Sequence, residues 1–246
     1  MEVDKALKEE HFFNQLAERQ EESWWGHRTF TGQQRQKRRA RLFAELLSPV
    51  RETTKILEIG CGSGDFTVHL LENLPPCAYF GMDISQGLLD VAKRRILNDY
   101  VTFLKGNVEE LDAQFGTFDV VIGASILHHL NVPKTLQNIH RVLPRAGRIL
   151  LMEPNMRNPQ VWLERNVKWV GRKLQNTEDE TAFYKREIED HLKKAGFREV
   201  SAEPFDFMHP LIPKSLFPLM SKMCLGLEKI PALREFAGSL LIQGRK

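Results

Sequence analysis

Between residues 55 and 152 five short apolar runs alternate with stretches of helical periodicity, and this alternation restricts the fold more than any other feature of the chain. The runs are residues 55–59, 78–82, 101–104, 118–122 and 148–152. They are apolar at nearly every position, not every second one, which is the pattern of strands buried on both faces. Between them, Phe66, Leu70 and Leu74 fall four apart, and residues 86–98 carry Leu88, Leu89, Ala92 and Ile96 on one stripe behind a Ser85 cap. Residues 132–143 form a third helical pattern, closed by Pro144-Arg-Ala-Gly147. Strands joined through helices need crossover connections, so the sheet they form is parallel. The expected fold class is α/β: a doubly wound, mostly parallel, Rossmann-like sheet.

The first strand runs into Gly60-Cys-Gly-Ser-Gly64 and then a helix. Glycines allow the tight turn and leave no Cβ to hold a ligand away from the backbone. The dinucleotide fingerprint requires its last glycine at position 65, where this chain has Asp65, and the Gly-Lys-Ser/Thr of a phosphate-binding P-loop is also missing. Asp83 ends the second strand roughly 20 residues past Gly64, placed to accept both hydroxyls of a ribose. Loop and acid together indicate a nucleoside ligand without saying which one.

The flanks read differently. The first 50 residues are helical in pattern, with Phe12, Phe13 and Leu16 on one face and Leu42, Phe43, Leu46 and Leu47 on another before Ser48-Pro49. Residues 23–44 hold Arg28, Arg35, Lys37, Arg38, Arg39 and Arg41 and no acid, which is either a solvated helix face or a positive wall beside an anionic ligand. Trp24, Trp25 and His27 precede that run as a candidate packing cluster. Toward the end, residues 183–195 read as a helix and residues 200–205 and 238–244 as strands. The apolar, Pro-punctuated residues 207–236 between them are too many for a simple hairpin and read as an insertion.

Composition removes several classes. With 35 basic and 32 acidic side chains the net charge is +3, too small to imply a polyanionic partner. A hydrophobic share of 42% is that of a globular chain. No run of some 18 uncharged apolar residues is present, which excludes a membrane-spanning helix. The N-terminus does not resemble a secretory signal, and Cys61, Cys77 and Cys224 have no metal-ligand spacing, so a cytoplasmic, reducing location is expected.

At this point the motifs carry a resemblance. Leu57-Glu-Ile-Gly-Cys-Gly-Ser-Gly64 resembles the first motif of the class I S-adenosylmethionine (SAM)-dependent methyltransferases, in particular the group acting on small molecules. Asp83 in Gly81-Met-Asp-Ile-Ser85 matches the ribose-binding acid. Gly106-Asn-Val-Glu-Glu-Leu111 matches the adenine-side segment, where the family usually has Asp in place of Asn107. Phe118-Asp-Val-Val-Ile122 through Leu127-His-His-Leu130 matches the fourth strand and its exit, and Arg141-Val-Leu-Pro-Arg-Ala-Gly147 the turn before the fifth. The match is tight over residues 27–155 and loose elsewhere; five motifs in order make it specific.

The resemblance implies seven strands with the last, residues 238–244, antiparallel, and SAM as cofactor, converted to S-adenosylhomocysteine. It implies a binding set of Glu58, Gly60, Cys61, Gly62, Gly64, Asp83, Ile84, Asn107, Val108 and Ala124. Glu58 faces the methionine amino end, Cys61 fills space, and Val108 packs near the adenine, whose amino group the Asn107 carbonyl accepts. Arg35 is assigned to the methionine carboxylate, which a guanidinium pairs better than a lysine does. His129 matches the position where some small-molecule relatives carry a general base. Glu153 and Asn155 invite comparison with a metal site, but Ala124-Ser125 offers no acid at strand four, so no metal is expected. The fourth-strand exit also lacks the segment typical of DNA amino-methyltransferases. The domain reading is a helical lid (residues 1–50), a methyltransferase core (51–206 and 237–246) and an apolar helical insertion (207–236) that serves as packing, oligomer contact, or a lid over a lipophilic acceptor at a membrane surface. The expected function is methyl transfer to oxygen or nitrogen of a small lipophilic metabolite. The alternatives are an RNA methyltransferase using residues 28–41, and an inactive SAM-binding module.

Overall fold

Hydrogen-bonded pairing gathers the seven expected strands into one sheet. The computed structural model describes residues 2–19, 29–167 and 182–246. In chain order the elements are α1 (Glu2–Arg19), α2 (Phe30–Leu47), β1 (Lys55–Ile59), α3 (Asp65–Leu71), β2 (Ala78–Asp83), α4 (Gln86–Arg95), β3 (Val101–Lys105), β4 (Val120–Ala124), α5 (Val132–Val142), β5 (Arg148–Pro154) and α6 (Pro159–Asn166). They continue with α7 (Lys185–Lys194), β6 (Arg198–Phe205), α8 (Phe217–Glu228), α9 (Pro231–Arg234) and β7 (Ser239–Arg245). The sheet order is β3-β2-β1-β4-β5-β7-β6. Strands β1 to β5 pair in parallel, and β7 is antiparallel to both β5 and β6, as expected.

Alternation along the central strands divides the core in two. Leu57, Ile59, Val121, Ile149 and Leu151 face α5 and α7, meeting Leu136, Ile139, Ile188 and Leu192. Ile56, Val120, Ile122, Leu150 and Met152 face α2 and α3, meeting Phe43, Leu47, Phe66 and Leu70. Both faces are covered, which is why these strands read as continuous apolar runs.

Some boundaries move. Strand β4 starts and ends two residues later than expected, because Gly123 and Ala124 continue the ladder to Leu151 and Met152. Helix α4 stops at Arg95: Ile96 turns extended and its side chain lies over Gly64. Helix α7 begins at Lys185, because Phe183 bridges to Asn155 instead. Within the insertion α8 buries only Cys224, so the helix is not packed into the sheet's core. Trp24, Trp25, His27 and Arg28 lie outside the described residues.

Order reverses between β1 and β4, the place where an open α/β sheet forms a ligand crevice beyond its carboxyl ends. Helix α1 lies across that edge. Its Asn14 side-chain oxygen accepts from the Ser85 hydroxyl (2.7 Å) and the Gly87 N–H (3.0 Å), fixing α1 to the start of α4.

Candidate active site

The site begins where β1 turns. Gly60 and Gly64 have φ of 65° and 78°, a region that costs an L side chain energy. Space forbids a side chain as well: a Cβ on Gly60 would lie 2.5 Å from Cγ1 of Ile126, and one on Gly64 would lie 2.7 Å from Cδ1 of Ile96. Gly60 therefore lets the β4 exit close over the loop, and Gly64 lets α3 and α4 approach. The Gly62 N–H donates to Asp83 Oδ2 at 2.8 Å, while Asp83 Oδ1 accepts from the Ser85 N–H at 2.9 Å. Burial pushes the Asp83 pKa up, opposed by these backbone bonds.

Around this loop lies a cavity of about 700 Å³, within the usual range for small-molecule sites. Every residue that the sequence assigned to the site lines it except Gly64, which supports it from behind. Ile84 and Val108 form apolar wall on the two sides of Asp83's strand end. Asn107 caps the short turn Val108–Glu110, its Oδ1 accepting from the Glu109 N–H (3.0 Å) and its Nδ2 donating to Glu110 Oε1 (3.1 Å). One lone pair of the Asn107 carbonyl is thus already engaged. Cys61 is buried, and desolvation pushes its thiol pKa well above the ordinary value, so it is no nucleophile.

Glu58 sits on the strand face toward α3 and accepts from the Thr67 hydroxyl (2.6 Å) and the Tyr79 hydroxyl (2.7 Å) through one oxygen. Burial raises its pKa to about 7 despite both bonds. This is an acid poised between its charged and neutral forms at physiological pH.

The two histidines after β4 have different surroundings. His128 Nδ1 lies 2.7 Å from Glu153 Oε2, and both side chains are buried. The other oxygen of Glu153 accepts from the N–H groups of Ile126 (3.0 Å) and Leu127 (2.7 Å), fixing the carboxylate at the end of β5 and the turn Leu127–His129 together. Such a pair fixes the tautomer: Nδ1–H donates to the carboxylate, and Nε2 becomes the basic nitrogen. Burial, and next the neighbouring His129, lower the His128 pKa, so the imidazole is neutral and can take a proton. His129 stacks on His128 (4.2 Å between ring centroids) and meets Phe13 of α1 edge-on. Its Nδ1 is 3.7 Å from Glu9 Oε1, too far for a hydrogen bond.

Half of the basic run is turned inward, while Lys37 and Arg41 stay exposed. Arg35 Nε and Arg39 Nε donate to Asp206 Oδ2 at 2.7 and 2.6 Å, and Arg38 pairs with Glu228 at 2.5 Å. Although burial opposes ionisation of Asp206, Arg35 and Arg39 hold its pKa below the ordinary value; burial, then Arg35, lower Arg39 to about 10. Three arginines of the run thus hold two internal carboxylates.

Several residues escaped the sequence reading. Lys5, Glu9 and Phe13 of α1 line the cavity, brought there by a helix whose docking no local pattern announces. Gln36 does too, buried, with an Oε1 that has no hydrogen-bond partner among the described residues. Glu153 was considered only as a metal ligand. A buried acid at a strand's carboxyl end, with a histidine after the neighbouring strand, was the available signal for this pair.

A mostly parallel sheet with a glycine loop, a strand-end acid and a crevice at the strand reversal has the class I methyltransferase fold, built around a nucleoside site. Residues 56–147 match the methyltransferase domain family, so this stretch of the chain is a methyltransferase domain. A demethylmenaquinone methyltransferase of Symbiobacterium thermophilum is 36% identical over 104 residues, covering 40% of this chain and 41% of that protein. The malonyl-[acyl-carrier protein] O-methyltransferase of Priestia megaterium is 32% identical over 96 residues, covering 39% and 35%. The chain thus spans less than half the length of these curated relatives. A SAM-dependent methyltransferase from Thermotoga maritima superposes with a TM-score of 0.65 at 19% identity, over 96% of this chain and 99% of that one, which is a likeness of fold.

Proposed function

We propose that this protein is a SAM-dependent methyltransferase acting on a small lipophilic acceptor whose reacting atom must shed a proton: an oxygen or nitrogen, or an acidic carbon. One observation carries the reading. A single cavity has the loop of Gly60 and Gly62 with Asp83 on one wall and the Glu153-oriented His128 on another. The name of one relative, a demethylmenaquinone methyltransferase, fits an acceptor of that kind.

The residues suit the cofactor. Each Asp83 oxygen has one backbone donor and retains acceptor capacity for a pair of ribose hydroxyls. Val108 and Ile84 offer apolar surface to an adenine, and the remaining lone pair of Asn107 accepts its amino group. Glu58 and the unpartnered Gln36 Oε1 receive an ammonium, and Arg35, braced by Asp206, receives a carboxylate. Gly60, Cys61, Gly62 and Ala124 shape the floor, and Gly64 fixes the loop from behind. When bound, SAM supplies a methyl group on a positively charged sulfur.

Catalysis by the chain is then alignment plus proton removal. His128 Nε2 takes the acceptor's proton, and Glu153 holds the ring and stabilises the imidazolium. His129 and Phe13 form the wall beside it, and the Glu153 pairing favours His128 over His129, expected from the sequence, as the general base. Phe13 and Leu16 of α1 line the cavity and present apolar surface over the site of transfer.

Titration calorimetry with SAM and S-adenosylhomocysteine tests the reading. Binding of both, lost in Asp83→Ala, is the expected result. A folded protein that binds neither refutes it. Binding without turnover on any quinol, phenol, amine or activated carbon acid would leave a SAM-binding module.

A further inference from the structure

Helix α8 contradicts the usual pattern of a surface helix. Of its twelve residues only Cys224 is buried. Leu219 is 67% exposed, Met223 47% and Leu225 43%, and Gly226 opens on empty space. At 100° per residue these positions share the outward face with Pro218 and Lys222, so the solvent side is nearly as apolar as the inner one. Leu211 and Leu216 lead into the helix and Ile230 and Leu233 follow it, all exposed. Contiguous apolar surface of this kind marks an interaction site.

The charges on the patch are of one sign. Lys214, Lys222 and Lys229 stand among these residues and pair with no carboxylate among the described residues. Glu228 is the one acid between Phe207 and Arg234, and Arg38 and the Asp206 N–H hold it inward. Lys214 lies over the Phe30 ring, whose edge packs on Phe217, so the α2 start braces the patch. The hydroxyls of Thr29 and Thr31 donate to the Pro210 and Ile212 carbonyls, fixing the same loop to α2. Leu211, Pro210 and Met208 also line the cavity, so the patch continues into its wall. No helix among the described residues is long and apolar enough to cross a membrane.

We propose that residues 211–233 dock on an anionic lipid bilayer, with Leu211, Leu216, Leu219 and Met223 entering the headgroup boundary and Lys214, Lys222 and Lys229 meeting lipid phosphates. Leucine and methionine interleaved with lysines, without an exposed acid, are the chemistry of an interfacial helix. The acceptor then reaches the cavity from the lipid phase past Leu211. Docking stands on the patch itself; only this route rests on the proposed function.

The test is co-sedimentation of the full chain with phosphatidylcholine vesicles, with and without phosphatidylglycerol, with SAM calorimetry on the same preparations. Binding to the anionic vesicles is expected. Lys222→Glu with Lys229→Glu should weaken it by more than about tenfold, since each basic residue near such a surface contributes about fivefold. Leu219→Glu with Met223→Glu should abolish it while SAM binding and the thermal midpoint hold, because both residues are exposed. No binding to anionic vesicles by a folded protein overturns the proposal. So does a dimer in light scattering that the leucine and methionine replacements dissociate, since a second copy would then cover the face. Vesicle binding without SAM binding supports docking and refutes the proposed function; SAM binding without vesicle binding does the reverse.

Discussion

Replacing Glu58 with Gln should flatten a pH dependence that the wild-type protein carries through this one residue. Glu58 is buried, and burial moves its pKa from 4.5 to about 7. A carboxyl raised in the folded state contributes stability that is complete below the unfolded pKa and is lost as pH rises through the folded one. In full the effect is about 3 kcal/mol, and between about pH 5.5 and 8 it is about 2 kcal/mol. With a urea m-value of about 3 kcal/mol/M that is about 0.7 M in the midpoint. A Gln carbonyl still accepts from Thr67 and Tyr79, so packing is kept and only the ionisation is removed. Urea unfolding of both proteins at the two pH values is the assay. The wild-type midpoint should fall with pH by that much more than the variant's, other titrating groups being common to both. Parallel slopes would refute the argument. Under the proposed function, an ammonium at Glu58 requires the carboxylate, so wild-type SAM affinity should rise across the same range and that of Glu58→Gln should not.

His128→Ala should lower kcat by about 10²–10⁴ with SAM affinity unchanged, measured by turnover and calorimetry; an equal loss in His129→Ala alone would return the base to His129. Glu153→Gln should do similar damage, because the amide can present an N–H to Nδ1 and move the imidazole proton to Nε2; a pH–rate profile identical to wild type would exclude that. Gly60→Ala should destabilise the fold by roughly 2–3 kcal/mol through positive φ and the contact with Ile126, and the added Ile126→Ala change should relieve only the contact part, as read from denaturant midpoints. Asp206→Ala should cost about 3–5 kcal/mol by leaving the buried Arg39 and the partly buried Arg35 without their carboxylate, whereas removal of an exposed pair such as Lys193–Asp190 should be close to neutral.

The doubly wound sheet was legible because each central strand advertises burial on both faces, and the glycine loop because Gly60, Gly62 and Gly64 with Asp83 stand at fixed intervals along a single crossover unit. These are local or evenly spaced features, carried by residues close in the chain. The proposed base was not legible in the same way. His128 and His129 are adjacent and chemically identical in sequence, and only β5 beside β4 brings Glu153 to one and not the other. The basic run likewise offered a charge and no direction; Asp206, far along the chain at the end of β6, turns Arg35 and Arg39 inward. The apolar insertion could be seen as a composition, but whether its helix is core or surface depends on what packs against it, and α8 buries one residue. A periodic pattern needs only its own chain segment, whereas a charge's partner, a histidine's tautomer and a helix's exposed face are fixed by contacts between segments that the sheet order alone brings together.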